Sequence, residues 1–267
     1  MLSMPMGMLF SKELTVKSSE QINHDLKKIT FNLPEGDSQI SGVPAGSIIL
    51  TQHTPYNGWF PVFRPYTPIS CPSDRGTLQL LVKIYPEGKA STYIHTMQPG
   101  DTISARGPFL GYAYTPCKTR RDLLFIAGGA GITPLFSLAQ AILDDRKDKT
   151  RIQLLWAVNG TRDIVLRKEL EEMEGRFPGR LQVTYAVSGE EGKPEAPSMG
   201  DESKFKKGYF SRDVLEEVIA RCEKGRWGDA KGTKVWICGP PAMETAVVGK
   251  SGILMELGIN AKEVHRF

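Results

Sequence analysis

Residues 123–143 read LLFIAGGAGITPLFSLAQAIL, a run without a single charge, long enough on hydropathy alone to cross a bilayer. Its glycines exclude that reading. Gly128, Gly129 and Gly131, followed by Thr133-Pro134, divide the run into a buried strand (Leu123–Ala127), a tight turn and a helix. Leu135, Leu138, Ala139 and Ile142 fall at helical spacing, with Thr133 expected as the N-cap and Pro134 as the first helical residue. Downstream, the same rhythm repeats. Ile152–Val158, Leu181–Val187 and Val235–Cys238 read as strands. Leu166, Leu170 and Met173 mark one intervening helix, Ser211 caps another carrying Val214, Leu215, Val218 and Ile219, and a helical stretch follows from Pro241. Val264–Phe267 is expected as an edge strand, and Ser188–Gly208, rich in Gly, Pro, Glu and Lys, as an exposed excursion. Alternating strands and helices imply a parallel sheet covered on both faces. Residues 122–267 are therefore expected to form an α/β domain.

Upstream the pattern is different. Gly42, Pro44, Gly58, Pro61, Pro65, Pro68, Pro72, Gly76, Pro86, Gly88, Pro99, Gly100, Gly107, Pro108 and Gly111 leave no room for long helices. Short apolar segments such as Ser47–Thr51 and Thr77–Tyr85 lie between these breaks. Many short strands with frequent turns predict an antiparallel β-barrel over residues 1–115. The polar segment 116–121, within TPCKTRR, reads as a linker.

Composition narrows the functional classes. With 267 residues, 40% hydrophobic and 24% charged, the chain suits two ordinary globular domains. The net charge is +4, and it divides evenly, so no basic tail or domain announces a nucleic-acid partner. The four cysteines, Cys71, Cys117, Cys222 and Cys238, have no metal-ligand or iron–sulfur spacing, which points to a reducing compartment and no bound metal. The N-terminal MLSMPMGMLF is too short to span a bilayer.

Ligands of open parallel sheets bind beyond the carboxyl ends of the strands. Two segments have that form: Gly128–Pro134 after the first strand, and Cys238-Gly239-Pro240-Pro241-Ala242-Met243 after the fourth. Glycines admit a ligand to the backbone, and a helix start attracts phosphate. A lone Gly-rich turn is often only a tight connection, and GGAG is not the GxGxxG fingerprint, so the pair matters more than either turn. In the barrel half, Arg64-Pro65-Tyr66-Thr67-Pro68-Ile69-Ser70 is the most informative stretch. Strand alternation puts Arg64, Tyr66 and Pro68 on one face. An Arg suits a diphosphate, a Tyr brackets a flat ring, and a Thr bonds ring heteroatoms. Gly88-Lys89-Ala90-Ser91 is expected to open a helix over Thr92–Met97, a second backbone site for phosphate oxygens.

RPYTPIS, GKAS, GGAGITP and CGPPAM, in this order, resemble the flavin reductases typified by ferredoxin–NADP reductase, and most closely the NADH-cytochrome b5 reductases of the fungal mitochondrial branch. The resemblance runs from about Phe10 to Phe267 and implies FAD in the barrel. The matching positions are Arg64, Pro65, Tyr66, Thr67, Leu81, Lys83 and Tyr85, with Gly88, Lys89, Ala90, Ser91 and Thr92 at the phosphate-binding turn. It implies that Arg64 neutralises the pyrophosphate, Tyr66 packs on the flavin side, and Thr67 bonds near flavin N5. Thr133 would reach the flavin from the second domain. The nicotinamide dinucleotide would lie across Gly129, Ala130, Cys238, Gly239, Pro240 and Met243, with Lys83 adding positive charge and Cys238 beside the hydride path. Thr67, Lys83 and Cys238 are thus the expected catalytic positions. Hydride would pass from NADH to the flavin, and single electrons onward to cytochrome b5 or a similar acidic haem protein.

Two departures from the family pattern stand out. Ser47 replaces the His of microsomal-type relatives, so no His-based proton relay is expected, and none of His24, His53, His95 and His265 is assigned a catalytic role. Tyr185-Ala186-Val187-Ser188 replaces the Tyr-Thr-Leu-Asp pattern of relatives that prefer NADH. An acid there would bond ribose hydroxyls and repel a 2′-phosphate; Ser188 does neither strongly, so NADPH acceptance stays open. Ala130 stands for the commoner Thr, a milder change. A redox-inactive interaction protein on the same fold is the remaining rival. Basic residues such as Lys12, Lys27, Lys28 and Lys118 are candidates for meeting an acidic partner. A monomer is expected, in a mitochondrial setting (outer membrane or intermembrane space) by resemblance. Any N-terminal anchor would be missing from this chain, with the Met-rich start as its remnant or as a natural beginning.

Overall fold

In the computed structural model, described for residues 11–56, 58–109, 111–189, 204–222 and 234–267, the main break between two compact units falls between Ala113 and Tyr114. The N-terminal MLSMPMGMLF and most of the 188–208 excursion lie outside the described residues.

The first unit is a six-stranded antiparallel sheet. Its strands are β1 (Lys12–Gln21), β2 (Leu26–Asn32), β3 (Ile48–His53), β4 (Val62–Tyr66), β5 (Thr77–Lys83) and β6 (Thr102–Phe109), in the order β4-β3-β6-β1-β2-β5. Segment 67–70 ties one edge back to the other: Ile69 N–H donates to Gln79 O at 3.0 Å, and Gln79 N–H to Ser70 Oγ at 3.0 Å. Period-two alternation sends Leu14, Val16, Ile29, Phe31, Leu78, Leu80 and Val82 to a common interior. Beside a short 3₁₀ turn at Gly36–Ser38, this unit carries the helix α1 (Lys89–Thr96). It begins at Lys89 rather than at the expected Thr92, because Gly88 serves as an N-cap without a side chain. Strand β4 stops at Tyr66, so the expected alternation holds for Arg64 and Tyr66 but does not extend to Pro68.

The second unit is a six-stranded parallel sheet: β7 (Asp122–Gly128), β8 (Arg151–Val158), β9 (Leu181–Val187), β10 (Phe205–Lys207), β11 (Val235–Cys238) and β12 (Val264–Arg266). Its helices are α2 (Ile132–Asp144), α3 (Arg167–Arg176), α4 (Arg212–Arg221), α5 (Pro241–Val248) and α6 (Ile253–Glu256). All seven residues of β7 are buried, as a strand covered on both faces requires. Asp122 and Arg151 face each other across β7 and β8, and the guanidinium makes two bonds to the buried carboxylate, at 2.6 and 2.5 Å. Ser211 caps α4 as expected, its Oγ accepting from Val214 N at 3.3 Å. Two details differ from expectation. The 188–208 stretch ends in the edge strand β10, and the 116–121 segment is bonded into this unit. Cys117 N–H donates to Asp148 Oδ2 at 3.2 Å, and Arg121 Nε to Thr150 Oγ1 at 3.1 Å. No helix among the described residues is long and apolar enough to cross a membrane.

The strand order is β10-β9-β8-β7-β11-β12. The chain therefore builds outward from β7 on one side, then returns to build outward on the other. The order reverses between β7 and β11, where open α/β sheets bind ligands.

Candidate functional site

In the second unit, both glycine turns stand at that reversal, leaving the carboxyl ends of adjacent strands, with Cys238 opposite Ala127. A Cβ added to Gly131 would lie 2.2 Å from the carbonyl oxygen of Cys238 and 2.9 Å from Gly239 N. One added to Gly128 would lie 2.3 Å from Met243 Sδ, and one on Gly239 2.5 Å from Met243 Cε. The turns are interlocked: at Gly131 backbone atoms exclude any side chain, while at Gly128 and Gly239 Met243 would have to shift. Gly129 is the opposite case: its φ is +51° and nothing lies within 4 Å of its added Cβ. The outer side of the turn thus offers bare backbone, as close approach of a phosphate requires.

Thr133 does not cap α2. A short 3₁₀ turn over Gly129–Gly131 leads into the helix, Gly131 takes the cap position, and Thr133 Oγ1 donates back to Ala130 O at 3.3 Å. Two residues that sequence reading did not single out secure the turns. Trp156 Nε1 donates to Gly129 O at 3.0 Å, and Glu244 Oε1 accepts from Gly239 N at 3.3 Å. Both contacts are non-local or depend on turn geometry, and no spacing rule signals them. Burial pushes the Glu244 carboxyl up, against the opposing effects of the Gly239 amide and Arg266.

Burial also pushes the Cys238 thiol up to about 12, with the Glu244 charge adding to it. Cys222 is likewise raised to about 12 by burial. At pH 8, iodoacetamide is therefore expected to label the half-exposed Cys71 and Cys117 ahead of Cys222 and Cys238, since only thiolates react. Peptide mass mapping checks this, and early labelling of Cys238 would contradict it.

In the first unit, Arg64 is exposed on the edge strand β4, where its Nη1 donates to its neighbour's carbonyl, Phe63 O, at 2.7 Å. Tyr66, two residues on, is half-buried, and its phenol is raised to about 12 by burial, partly offset by Arg64. Thr67 is buried and Pro65 exposed. Leu81 is buried, Tyr85 is exposed, and Lys83 makes an ion pair with Asp25 at 2.8 Å. Helix α1 has no side-chain cap, so its first-turn amides are served by no neighbouring oxygen of that kind. Ser91 Oγ donates to Gly88 O at 3.0 Å and accepts from Tyr85 N at 3.3 Å, which closes the turn. Thr92 N–H donates to Gly88 O at 2.9 Å. Of the candidate docking lysines, Lys118 is exposed and Lys28 pairs with Glu20 at 3.1 Å. Lys27 is buried, which removes it from any docking surface.

An edge guanidinium beside an aromatic ring and an uncapped helix start in one unit suit a dinucleotide diphosphate and its flat ring. Paired glycine turns at a strand-order reversal in the other suit a second dinucleotide. Together they define a two-domain oxidoreductase. Residues 13–114 match the oxidoreductase FAD-binding domain family, and residues 125–249 the oxidoreductase NAD-binding domain family. The chain is 35% identical to NADH-cytochrome b5 reductase 2 of Phaeosphaeria nodorum, over 95% of this chain and 74% of that one. It is 34% identical to the Neurospora crassa protein of the same name, over 95% and 72%. Among solved structures, the cytochrome b5 reductase domain of Ulva prolifera nitrate reductase superposes with a TM-score of 0.81 at 28% identity, covering 99% of this chain and all of that one. The chain belongs to the NADH-cytochrome b5 reductase family.

Proposed function

We propose that the chain takes hydride from NADH and passes single electrons to cytochrome b5 or a similar acidic haem protein, as a monomer in a mitochondrial setting. Residues 1–115 would hold FAD and 122–267 the nicotinamide dinucleotide, with the 116–121 connection bonded to the second of these. The observation that carries this reading is the interlocked pair of glycine turns at the strand-order reversal. Bound FAD supplies the exchange between a two-electron donor and a one-electron acceptor. The chain's own residues bind and orient. Arg64 neutralises the diphosphate, aided by the backbone amides of Lys89, Ala90 and Ser91, with Thr92 beside them. Pro65 and Tyr66 pack against the flavin side, Leu81 and Tyr85 wall the cofactor, and Thr67 offers a hydroxyl to a ring nitrogen. Lys83, aimed by Asp25, adds positive charge. Gly129, Ala130, Gly239, Pro240 and Met243 line the dinucleotide, beside Thr133 in the first turn of α2. Cys238 brings a neutral thiol beside the hydride path, where it neither attacks nor repels.

Anaerobic mixing with NADH is expected to bleach the flavin absorbance within the turnover time, and cytochrome b5 is expected to re-oxidise it. Protein that takes up no FAD, or flavin that NADH leaves oxidised, would overturn the reading.

One observation favours a second reading for the nucleotide. Beyond β9 stands Ser188, whose Oγ donates to Val158 O at 3.4 Å, where an acid would repel a 2′-phosphate. In the same experiment, bleaching by NADPH as fast as by NADH would establish dual specificity.

A further inference from the structure

Lys27 is the buried cation that the function above does not use. It lies on β2 and is 9% exposed. Its Nζ donates to His95 O at 2.6 Å, and among the described residues it has no carboxylate partner. His95 is the penultimate residue of α1, and its ring Nε2 donates to Val82 O at 2.8 Å. Lys27 and Val82 are direct partners across β2 and β5. One ammonium and one ring nitrogen thus pin the carboxyl end of α1 to the two strands beneath it.

Packing alone does not explain a lysine here. A methionine would fill similar space without the cost of desolvating a charge. What the ammonium meets is the negative end of a helix dipole. Helix α1 has eight residues, about two turns, too few to hold its own shape in water. Its direction is fixed by Ile94 in the barrel core and by tethers at its two ends. Ser91 closes the first turn, and Lys27 with His95 closes the last. Between them they aim the uncapped amides of Lys89, Ala90 and Ser91.

We propose that Lys27 is a positioning residue for the FAD diphosphate, acting from beneath α1 through its carboxyl end without touching the cofactor. The inference rests on the assignment of FAD to the barrel, and the test separates the two. Apoprotein is titrated with FAD, with ADP in competition and with riboflavin, following flavin fluorescence. Lys27→Met is expected to raise the FAD dissociation constant about 5- to 20-fold, to weaken ADP by a similar factor, and to leave riboflavin, which has no phosphate, unchanged. Lys27→Arg is expected to restore FAD to within about 3-fold of wild type, since a guanidinium can reach the same carbonyl. If Lys27→Met does not fold, Lys27→Gln carries the same expectation. Unchanged FAD affinity, equal losses for FAD and riboflavin, or failure of Lys27→Arg to rescue would each overturn the proposal. Arg64→Gln is the control: if it too keeps full FAD affinity, the barrel assignment falls. If Arg64→Gln weakens FAD and Lys27→Met does not, only the role of Lys27 falls.

Discussion

Gly131→Ala is expected to leave a yellow protein that NADH reduces at least 100-fold less efficiently. The new methyl would sit 2.2 Å from the oxygen and 2.5 Å from the carbon of the Cys238 carbonyl, and 2.9 Å from Gly239 N. All three are backbone atoms, so no side chain can rotate away. The turn after β11 must move off the turn after β7. Overpacking of this kind costs about 1–3 kcal/mol, and a displacement of about 1 Å in a positioned reactant can cost about 100-fold in rate. The barrel is a separate unit, so FAD content is expected to hold. Steady-state kcat/KM for NADH with ferricyanide, beside flavin absorbance per protein, checks both halves. A variant within 3-fold of wild type would remove the interlocked turns from the dinucleotide site.

Arg64→Gln is expected to yield protein that loses its flavin on purification, with the FAD dissociation constant raised about 10- to 100-fold. A hydrogen bond to a charged group is worth about 1.5–3 kcal/mol, and the guanidinium makes such bonds to phosphate in pairs. Among the described residues its one hydrogen bond is to the adjacent Phe63 carbonyl, and it stands exposed on an edge strand. Little else depends on it. Apoprotein melting is therefore expected to change by less than about 0.5 kcal/mol, while cofactor affinity collapses. Arg64→Lys is expected to recover only part of the loss, because an ammonium lacks the planar fork. Retention of flavin at wild-type affinity would detach Arg64 from the cofactor.

Which parts of this molecule can be read from its sequence follows from physical locality. Leu181–Val187 and Val235–Cys238 have the same bounds in the structure as in the sequence reading, because buried parallel strands are continuous apolar runs between polar breaks. Ser211 announced its helix because a side-chain cap is a local contact. The start of α1 at Lys89, three residues before the expected Thr92, has no such signal because its cap is a glycine. Thr133 is a cap by residue type, yet the 3₁₀ turn before it hands that place to Gly131. Strand β10 lay hidden in Phe205-Lys206-Lys207, whose composition reads as solvent-exposed and whose pairing comes from β9. The glycine turns are legible as turn chemistry. The contacts of Trp156, Glu244 and Lys27 are not, since each is made to a partner that only the fold brings near.

The seam between Gly128, Gly131, Gly239 and Met243 also has a bearing on how such a chain can change by descent or by engineering. The thioether of Met243 fills the space that side chains on Gly128 and Gly239 would need. A new residue on either turn is therefore judged by the shape of the other, although the two are far apart along the chain. Exchanging one turn with that of a relative tests compatibility with the half left behind. Substitutions across the seam are then expected to be non-additive.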